Sequence, residues 1–401
     1  MELPIEALLD SQLNAIDRLR HLKVGANFAE PGTGKTRSTM ELIKSTPCNY
    51  CLWLTPFQTK DNLKAEIDKW GGLPIELEIV GTETISSSAR TYLNLYEKLQ
   101  TVNAFIVVDE SLKIKNWGAK RTQRIIELGK HCEYKMILNG TPISRNLLDV
   151  WAQMEFLSPK ILNMGSAEYK NTFCEYTTIK KRFGNRWFQK SFITKYHNVD
   201  YLYSLIKHYV YECDLNIEIG KQYINVDYEI DEETKKEYQK LKEKYLDNEK
   251  LMMMNNNIFL ELTQKMQHLY CCTPDKFTVL DKILESHDRE KVLIYRKYID
   301  SEEALKKKYP DIKVLSIQSH AYGLNLQDYN VIIGWDKVWD YALLDQRDHR
   351  VYRTGQTETC YFYDLSGNVN LESLMNENIT KKGKLLKYFK QKGWKELMER
   401  L

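Results

Sequence analysis

The segment NFAEPGTGKTRS (residues 27–38) has the residue types and spacing of a loop that surrounds phosphate groups. Backbone N–H groups in such a loop, with the positive end of the following helix, attract phosphate oxygens. Lys35 adds a positive charge, and the Thr36 hydroxyl is placed to bind Mg²⁺. The expected phosphate-binding residues are Gly32, Thr33, Gly34, Lys35 and Thr36. The usual pattern begins with glycine, whereas this chain has Ala29 there.

A second chemical signal follows in IVVDES (residues 106–111), an apolar run that ends in two acids. Alone, this run fits any strand entering a polar turn. After a phosphate loop it indicates a magnesium site, where Asp109 holds the metal shell and Glu110 polarises the attacking water. The phosphate loop alone would suit a kinase, a transporter subunit, a GTPase or a motor. Together with the two acids it predicts hydrolysis of a nucleoside triphosphate with Mg²⁺ as cofactor.

The segment DQRDHRVYRTGQ (residues 345–356) supplies the cations for the same reaction. Arg350 and Arg353 are three residues apart, so on a helix over 346–356 they share one face and can point at one oxyanion. Across a cleft between two lobes they would stabilise charge on the γ-phosphoryl group when the lobes close. The alternative is a solvated, charge-rich helix. We expect a composite catalytic centre of Lys35, Asp109, Glu110, Arg350 and Arg353.

The elements that position these residues alternate short apolar runs with helical patterns, which is typical of parallel sheets covered by helices. We predict an α/β fold with two parallel-sheet lobes and a helical insertion between them. The first lobe spans 1–157, the helical insertion and linker 158–270, and the second lobe 271–370. The Lys-rich remainder, 371–401, is expected to form a basic amphipathic helix.

Several of these segments resemble the Swi/Snf family of superfamily 2 helicase-like ATPases. The resemblance rests on DESLKIKN (109–116), ILNGTPISRNLLDVWAQMEFL (137–157) and the Gln-x-x-x-Arg-x-x-Arg-x-Gly-Gln pattern of 346–356. It covers roughly residues 5–365 in the family's order. It implies two RecA-like lobes and translocation on duplex DNA without strand separation.

The resemblance also assigns roles to individual residues. Gln12 would read adenine, and Ser316 would lie near the nucleic-acid backbone. The residues expected to relay the nucleotide state between the lobes are Thr141, Gly323, Asn325 and Gln346.

Three departures from the family pattern affect these expectations. Leu112 stands where many relatives carry a histidine that hydrogen-bonds across the cleft, so coupling between the lobes must use other groups. The basic segment before the linker strand is replaced by YVYECDLNI (209–217), which carries acids. Residues 299–312 leave room for one short helix where relatives have a further strand and helix. The second lobe is therefore expected to be trimmed by one βα unit.

A basic and aromatic segment, IKKRFGNRWFQKSFITKY (179–196), is the candidate nucleic-acid surface. Basic groups neutralise phosphates, and aromatic faces stack on bases. The segment fits a β-hairpin with a solvated basic face equally well. The residues assigned here to nucleic-acid binding are Lys180, Lys181, Arg182, Arg186 and Trp187, together with Ser316.

Composition bounds the function class. The 401 residues carry a formal net charge of only +3, so a nucleic-acid surface must be a local patch. The chain has no apolar run long enough to span a bilayer and no signal-peptide pattern. We expect a protein of the cytoplasm, or of a host's cytoplasm if a phage encodes it. The compact size is similar to stand-alone minimal versions from phages and bacteria.

The leading hypothesis is an ATP-dependent motor or remodeller that acts on nucleic acid, most readily duplex DNA, with a monomeric catalytic unit. An unwinding helicase for DNA or RNA is one alternative. The other is a nucleotide-gated binding protein whose ATP state controls a protein partner.

Overall fold

The computed structural model describes residues 8–140, 147–183, 186–215, 217–246, 256–320, 326–353, 355–373, 375–377 and 379–380. Three of the expected coupling residues, Thr141, Gly323 and Asn325, lie outside the described residues, as does the tail from 381. The predicted roles of these residues therefore stay predictions.

The first sheet is parallel and, within the described residues, has six strands in the order β3-β2-β4-β5-β1-β8. The strands are β1 (Val24–Asn27), β2 (Tyr50–Thr55), β3 (Glu76–Gly81), β4 (Ala104–Asp109), β5 (Tyr134–Leu138) and β8 (Val210–Tyr211).

Both faces of this sheet are covered, and for that reason its strands are apolar runs rather than alternating ones. In β2, Tyr50, Leu52 and Leu54 face one core cluster, and Cys51 and Trp53 face the other. The helices that cover the sheet are α1 (Asp10–Leu19), α2 (Lys35–Lys44), α3 (Lys60–Lys69), α4 (Thr82–Ser87), α5 (Ala89–Leu99), α6 (Lys120–Gly129) and α7 (Leu148–Leu157). The first three pack on one face and the other four on the opposite face.

The second sheet is also parallel, with five described strands in the order β11-β10-β12-β13-β9. They are β9 (Lys221–Tyr228), β10 (Val292–Arg296), β11 (Lys313–Ser316), β12 (Val331–Gly334) and β13 (Cys360–Gly367). Its helices are α12 (Asn256–Leu269), α13 (Pro274–Glu285), α14 (Ile299–Lys308), α15 (Ile317–His320) and α16 (Tyr341–Asp348). Two parallel sheets flanked by helices confirm the predicted α/β fold class.

The segment 158–270 differs from the helical insertion that we expected. It contains the helices α8 (Pro159–Leu162), α9 (Ser166–Phe173), α10 (Val199–Ile206) and α11 (Glu232–Leu246) together with α12, and an antiparallel hairpin, β6 (Cys174–Phe183) and β7 (Arg186–Tyr196). It also supplies β8 to the first sheet and β9 to the second. The sequence concealed these two strands because β8 is very short and β9 carries several polar residues, which an edge strand tolerates on its exposed face. The first sheet thus extends beyond residue 157 and the second begins before residue 271.

The second lobe has the shortened connection predicted from its sequence. Between β10 and β11, which are adjacent and parallel, the described chain contains only α14. A right-handed crossover needs only one helix, so this deletion leaves the sheet continuous. In the described part of the chain, no helix is long and apolar enough to cross a membrane.

Candidate nucleotide site

The phosphate loop connects β1 to α2 at the carboxyl edge of the first sheet. Gly32 and Gly34 have φ values of 90° and 79°, and Gly34 is the N-cap of α2. Such backbone angles favour glycine, since a Cβ would clash there. The Lys35 Nζ donates hydrogen bonds to the carbonyl oxygens of Ala29 at 2.8 Å and Glu30 at 3.1 Å. The loop is therefore already folded, with the Lys35 ammonium group hydrogen-bonded to the loop's own carbonyl oxygens.

Gln12 lies directly over this loop. It is buried in the first turn of α1, and its Oε1 accepts a hydrogen bond from the Leu9 N–H at 3.0 Å. A Cβ on Gly34 would lie 2.0 Å from the Gln12 Nε2, so only glycine fits beneath this amide. The structure brings Gln12 to the loop, and its adenine-reading role stays a prediction.

Asp109 is the last residue of β4 and Glu110 follows it, beside the phosphate loop. Asp109 Oδ1 accepts the Glu110 N–H at 2.9 Å, and Oδ2 lies 3.4 Å from the Thr55 hydroxyl. Desolvation and the charge of Glu110, opposed by the nearby Lys35, together raise the pKa of Asp109 from 3.8 to about 7. The Asp109 carboxylate therefore has too little positive charge around it to favour its ionised form.

Glu110 meets the second lobe. It has a left-handed φ of 50°, and its Oε2 accepts a hydrogen bond from the Gln346 Nε2 at 2.8 Å. Gln346 is only 3% exposed, and its Oε1 has no hydrogen-bond donor among the described residues. A buried acceptor beside a carboxylate is a site that suits a water molecule. The predicted water-polarising residue and the predicted coupling glutamine thus touch each other.

Of the two arginines, Arg353 reaches the loop, by a different route from the one that the sequence suggested. The helix expected over 346–356 is wrong in extent, because α16 ends at Asp348 and the next residues form turns. Arg353 follows these turns and packs on the phosphate loop, where a Cβ on Gly32 would lie 2.8 Å from the Arg353 Cβ. Burial lowers the pKa of Arg353, and the charge of Arg350 lowers it further. Two adjacent cations of this kind form a site that favours an anion.

The remaining predicted residues are more dispersed. Thr36 is the second residue of α2, and Ser316 is the buried last residue of β11. In the hairpin β6–β7, Lys180 pairs with Gln189, Lys181 with Phe188, and Arg182 with Trp187. Arg186 pairs with Phe183 at the turn. The predicted hairpin therefore forms, and its nucleic-acid role stays a prediction.

Sequence reasoning missed two residues of the site, Glu30 and His349. The His349 Nε2 lies 3.5 Å from the Glu30 Oε2, across the boundary between the lobes. Neither position is specified by the motifs that carried the prediction. The one available signal was their position in the chain, since Glu30 lies two residues before Gly32 and His349 directly precedes Arg350.

The residues present suit a magnesium ion held together with a triphosphate. A hydroxyl from Thr36 and a carboxylate from Asp109 are hard oxygen donors of the kind that Mg²⁺ prefers. Within the described ranges no cluster of three or more His, Cys, Asp or Glu side chains could hold a metal. That is consistent with an ion that takes most of its ligands from phosphates and water rather than from a protein cage.

The pKa of Asp109 predicts a pH-dependent stability. In the folded protein Asp109 keeps its proton up to about pH 7, whereas in the unfolded chain it loses it near its ordinary 3.8. Between these values the folded state binds more protons, so its stability falls as pH rises. We expect Asp109→Asn to raise the apparent melting temperature by about 5 °C at pH 8 in EDTA, and hardly at pH 4.

Differential scanning fluorimetry across this pH range measures the effect. Asp68→Asn, an exposed carboxylate on α3, is the matched control and should show no such trend. A pH-independent effect of Asp109→Asn would show that the carboxylate is not protonated in the folded protein.

Comparison with known proteins identifies relatives of this chain. The helicase ssl-1 of Caenorhabditis elegans is 26% identical over 42% of this chain and 8% of its own length. An uncharacterized ATP-dependent helicase of Mycoplasma genitalium is 23% identical over 74% of this chain and 32% of its own length. The ISWI chromatin-remodeling complex ATPase of Saccharomyces cerevisiae is 24% identical over 89% of this chain and 38% of its own length. The chain thus spans less than two-fifths of the length of these curated relatives.

Among solved structures, the SWI2/SNF2 ATPase core of Sulfolobus solfataricus in complex with dsDNA matches with 18% identity and a TM-score of 0.44. The match covers 98% of this chain and 95% of that one. A family model described as the SNF2-related domain matches residues 44–278, which is more than half of the chain. The expected family is therefore confirmed, and this chain belongs to the SNF2-related domain family.

Proposed function

We propose that this protein is an ATP- and magnesium-dependent motor on nucleic acid that translocates on double-stranded DNA without separating the strands. The observation that supports it most directly is the hydrogen bond between Glu110 of the first lobe and Gln346 of the second. Because the acid that polarises water is held by an amide from the other lobe, ATP hydrolysis and lobe closure depend on each other. Such coupling is what a motor requires.

The chemistry begins in the phosphate loop. Lys35 exchanges the carbonyl oxygens of Ala29 and Glu30 for phosphate oxygens when a triphosphate enters. Thr36 and Asp109 would hold the magnesium ion, which neutralises charge on the phosphates. Binding of that cation makes ionised Asp109 favourable in its buried place.

Hydrolysis then uses residues from both lobes. Glu110 accepts a hydrogen bond from the attacking water, and the Gln346 Oε1 accepts another, so that the two side chains orient it. Arg350 and Arg353 stabilise the charge that develops on the transferred phosphoryl group. The lowered pKa of Arg353 reflects burial and repulsion from Arg350, which the phosphoryl charge offsets.

Duplex DNA is the proposed track. The hairpin β6–β7 carries Lys180, Lys181, Arg182, Arg186 and Trp187, which combine basic groups with an aromatic ring. In the first lobe, Phe57 is 61% exposed and the Lys60 Nζ lies 5.8 Å from its ring centroid. Together these residues give local basic and aromatic surface on a chain of low net charge.

The trimmed second lobe favours one other candidate function. A lobe without the extra strand and helix has less surface for a tracking strand, while Arg353 remains at the phosphate loop. A nucleotide-gated regulator, whose ATP state controls a protein partner, would use the same catalytic centre. Its signature is ATP turnover that responds to the protein partner and not to DNA.

The bond between the lobes predicts the effect of Gln346→Ala. A hydrogen bond to a charged group contributes roughly 1.5–3 kcal/mol, so we expect kcat for ATP to fall at least 10-fold. The affinity for a non-hydrolysable ATP analogue should change little, because the phosphate loop is intact. Steady-state kinetics and analogue titration measure the two effects. The control is Gln123→Ala, at an exposed position on α6. An equal fall in kcat in that variant would show that the effect of Gln346→Ala does not come from the bond between the lobes.

The arginine assignment predicts that Arg353→Ala lowers kcat by about 10³. The reason is the loss of the arginine that packs on Gly32 of the phosphate loop. Single-turnover measurements of phosphate release check this outcome. Arg289→Ala, which removes an exposed arginine paired with Asp311 in the same lobe, should stay within about twofold. Full turnover by Arg353→Ala would exclude the finger role.

ATP turnover with no nucleic acid, single-stranded DNA, duplex DNA and RNA tests the motor proposal itself. We expect duplex DNA to give the largest stimulation and no displacement of a labelled strand from a fork. Strand displacement would indicate a helicase, and turnover unmoved by every polynucleotide would favour the regulator.

The same assay tests the hairpin. Replacing Lys180, Lys181 and Arg182 with serine should raise the DNA concentration needed for half-maximal stimulation. It should also reduce the slope of log binding constant against log salt concentration by about 2–3, since each phosphate contact contributes about 0.9 to that slope. A triple serine variant at the exposed lysines 44, 64 and 130 is the charge-matched control. Equal effects in the two variants would point to net charge alone.

A further inference from the structure

Glu30, inside the phosphate loop, makes contacts with three separate parts of the molecule. Its carbonyl oxygen accepts hydrogen bonds from the Lys35 Nζ at 3.1 Å and the Thr33 hydroxyl at 2.7 Å. Its Oε2 accepts the Leu215 N–H at 3.0 Å, and its own N–H donates to the Cys213 carbonyl at 2.8 Å. The same Oε2 lies 3.5 Å from the His349 Nε2. One residue thus joins the phosphate loop, the linker after β8 and the turn that carries Arg350.

The contact with His349 has a defined hydrogen-bond polarity. The His349 Nδ1 lies 2.7 Å from the Asp345 carbonyl oxygen, which can only accept, so Nδ1 carries a proton and donates. Nε2 then carries a proton only when the imidazole is a cation. The contact with the Glu30 carboxylate is attractive in that doubly protonated form and repulsive between two acceptors in the neutral form. At 3.5 Å it is longer than an N–H···O hydrogen bond, so a small approach of the lobes completes it.

His349 is shielded from solvent, whereas the Glu30 side chain is partly exposed. The Asp345 Oδ1 lies 3.8 Å from the His349 Nδ1. The Tyr352 ring meets the imidazole edge-on at 6.4 Å. Tyr341, on α16, packs against the core of the first lobe, and burial together with nearby acids that include Glu30 raises its pKa. Arg350 is the next residue after His349 in the chain.

We propose that Glu30 is a positioning residue that transmits occupancy of the phosphate loop to the linker and, through His349, to Arg350. When Lys35 leaves the Glu30 carbonyl for a phosphate, the loop is free to shift, and the carboxylate carries that shift to Leu215 and His349. The pair substitutes for the cross-cleft hydrogen bond that Leu112 cannot make. This inference rests on the proposed ATP hydrolysis and goes beyond it by naming the residues that couple loop to lobe.

Glu30→Gln tests the charge separately from the linker bond, because the glutamine oxygen still accepts the Leu215 N–H. We expect a roughly 10-fold fall in kcat with KM for ATP within about twofold, since nucleotide binding is intact and closure is weakened. His349→Leu should have a similar effect, and the double variant should be no worse than either single one. Additive losses, or a loss confined to KM, would overturn the inference.

Small-angle scattering with a non-hydrolysable ATP analogue separates this inference from the proposed function. Wild-type protein without ATP turnover would overturn the proposed function alone. Analogue-dependent compaction that is reduced in both Glu30→Gln and His349→Leu would still support the coupling, and compaction equal to wild type in both would exclude it.

Discussion

The contact between the phosphate loop and the turns that follow α16 is the constraint on which this structure depends. Gly32 leaves room for the backbone of Arg353, Glu110 accepts from Gln346, and Glu30 faces His349. A Cβ at residue 32 would lie 2.8 Å from the Arg353 Cβ, so the two lobes could not approach each other as closely. Each lobe can complete its hydrophobic core alone, but neither has a complete catalytic centre. The chemistry therefore exists only where the two lobes meet.

Burial gives this boundary its electrostatic character. Asp109 and Arg353 have pKa values shifted toward their neutral forms, Asp109 upward and Arg353 downward, and each has a like-charged neighbour that adds to the shift. Both shifts disfavour the charged form in the absence of a ligand. In the proposed function a magnesium triphosphate would supply opposite charge to both places at once, the cation to the carboxylates and the anion to the arginines. Ligand binding and lobe closure would then be linked through the same charges.

The departures from the family pattern show how a chain retains coupling with different groups. Leu112 removes one cross-cleft hydrogen bond, and the acidic segment YVYECDLNI replaces a basic one. In the structure that segment forms β8 at the edge of the first sheet and leads into Leu215, whose N–H binds Glu30. The shortened link between β10 and β11 leaves the second sheet continuous, because the remaining helix still spans the crossover. In the proposed coupling, the contacts of Glu30 with Leu215 and His349 thus take the place of the hydrogen bond that Leu112 cannot make.

The sequence by itself determined the family and the two parallel sheets. It also predicted the residues of the catalytic centre, because glycine spacing, strand-end acids and paired arginines are local patterns. It did not reveal β8 and β9, whose short or polar strands form only against β1 and β13, nor the end of α16 at Asp348. Only the tertiary structure decided that Glu110 meets Gln346 and that Glu30 meets His349. These partners are more than 200 residues apart, and no local pattern encodes a contact whose geometry is set by the packing of two separate cores.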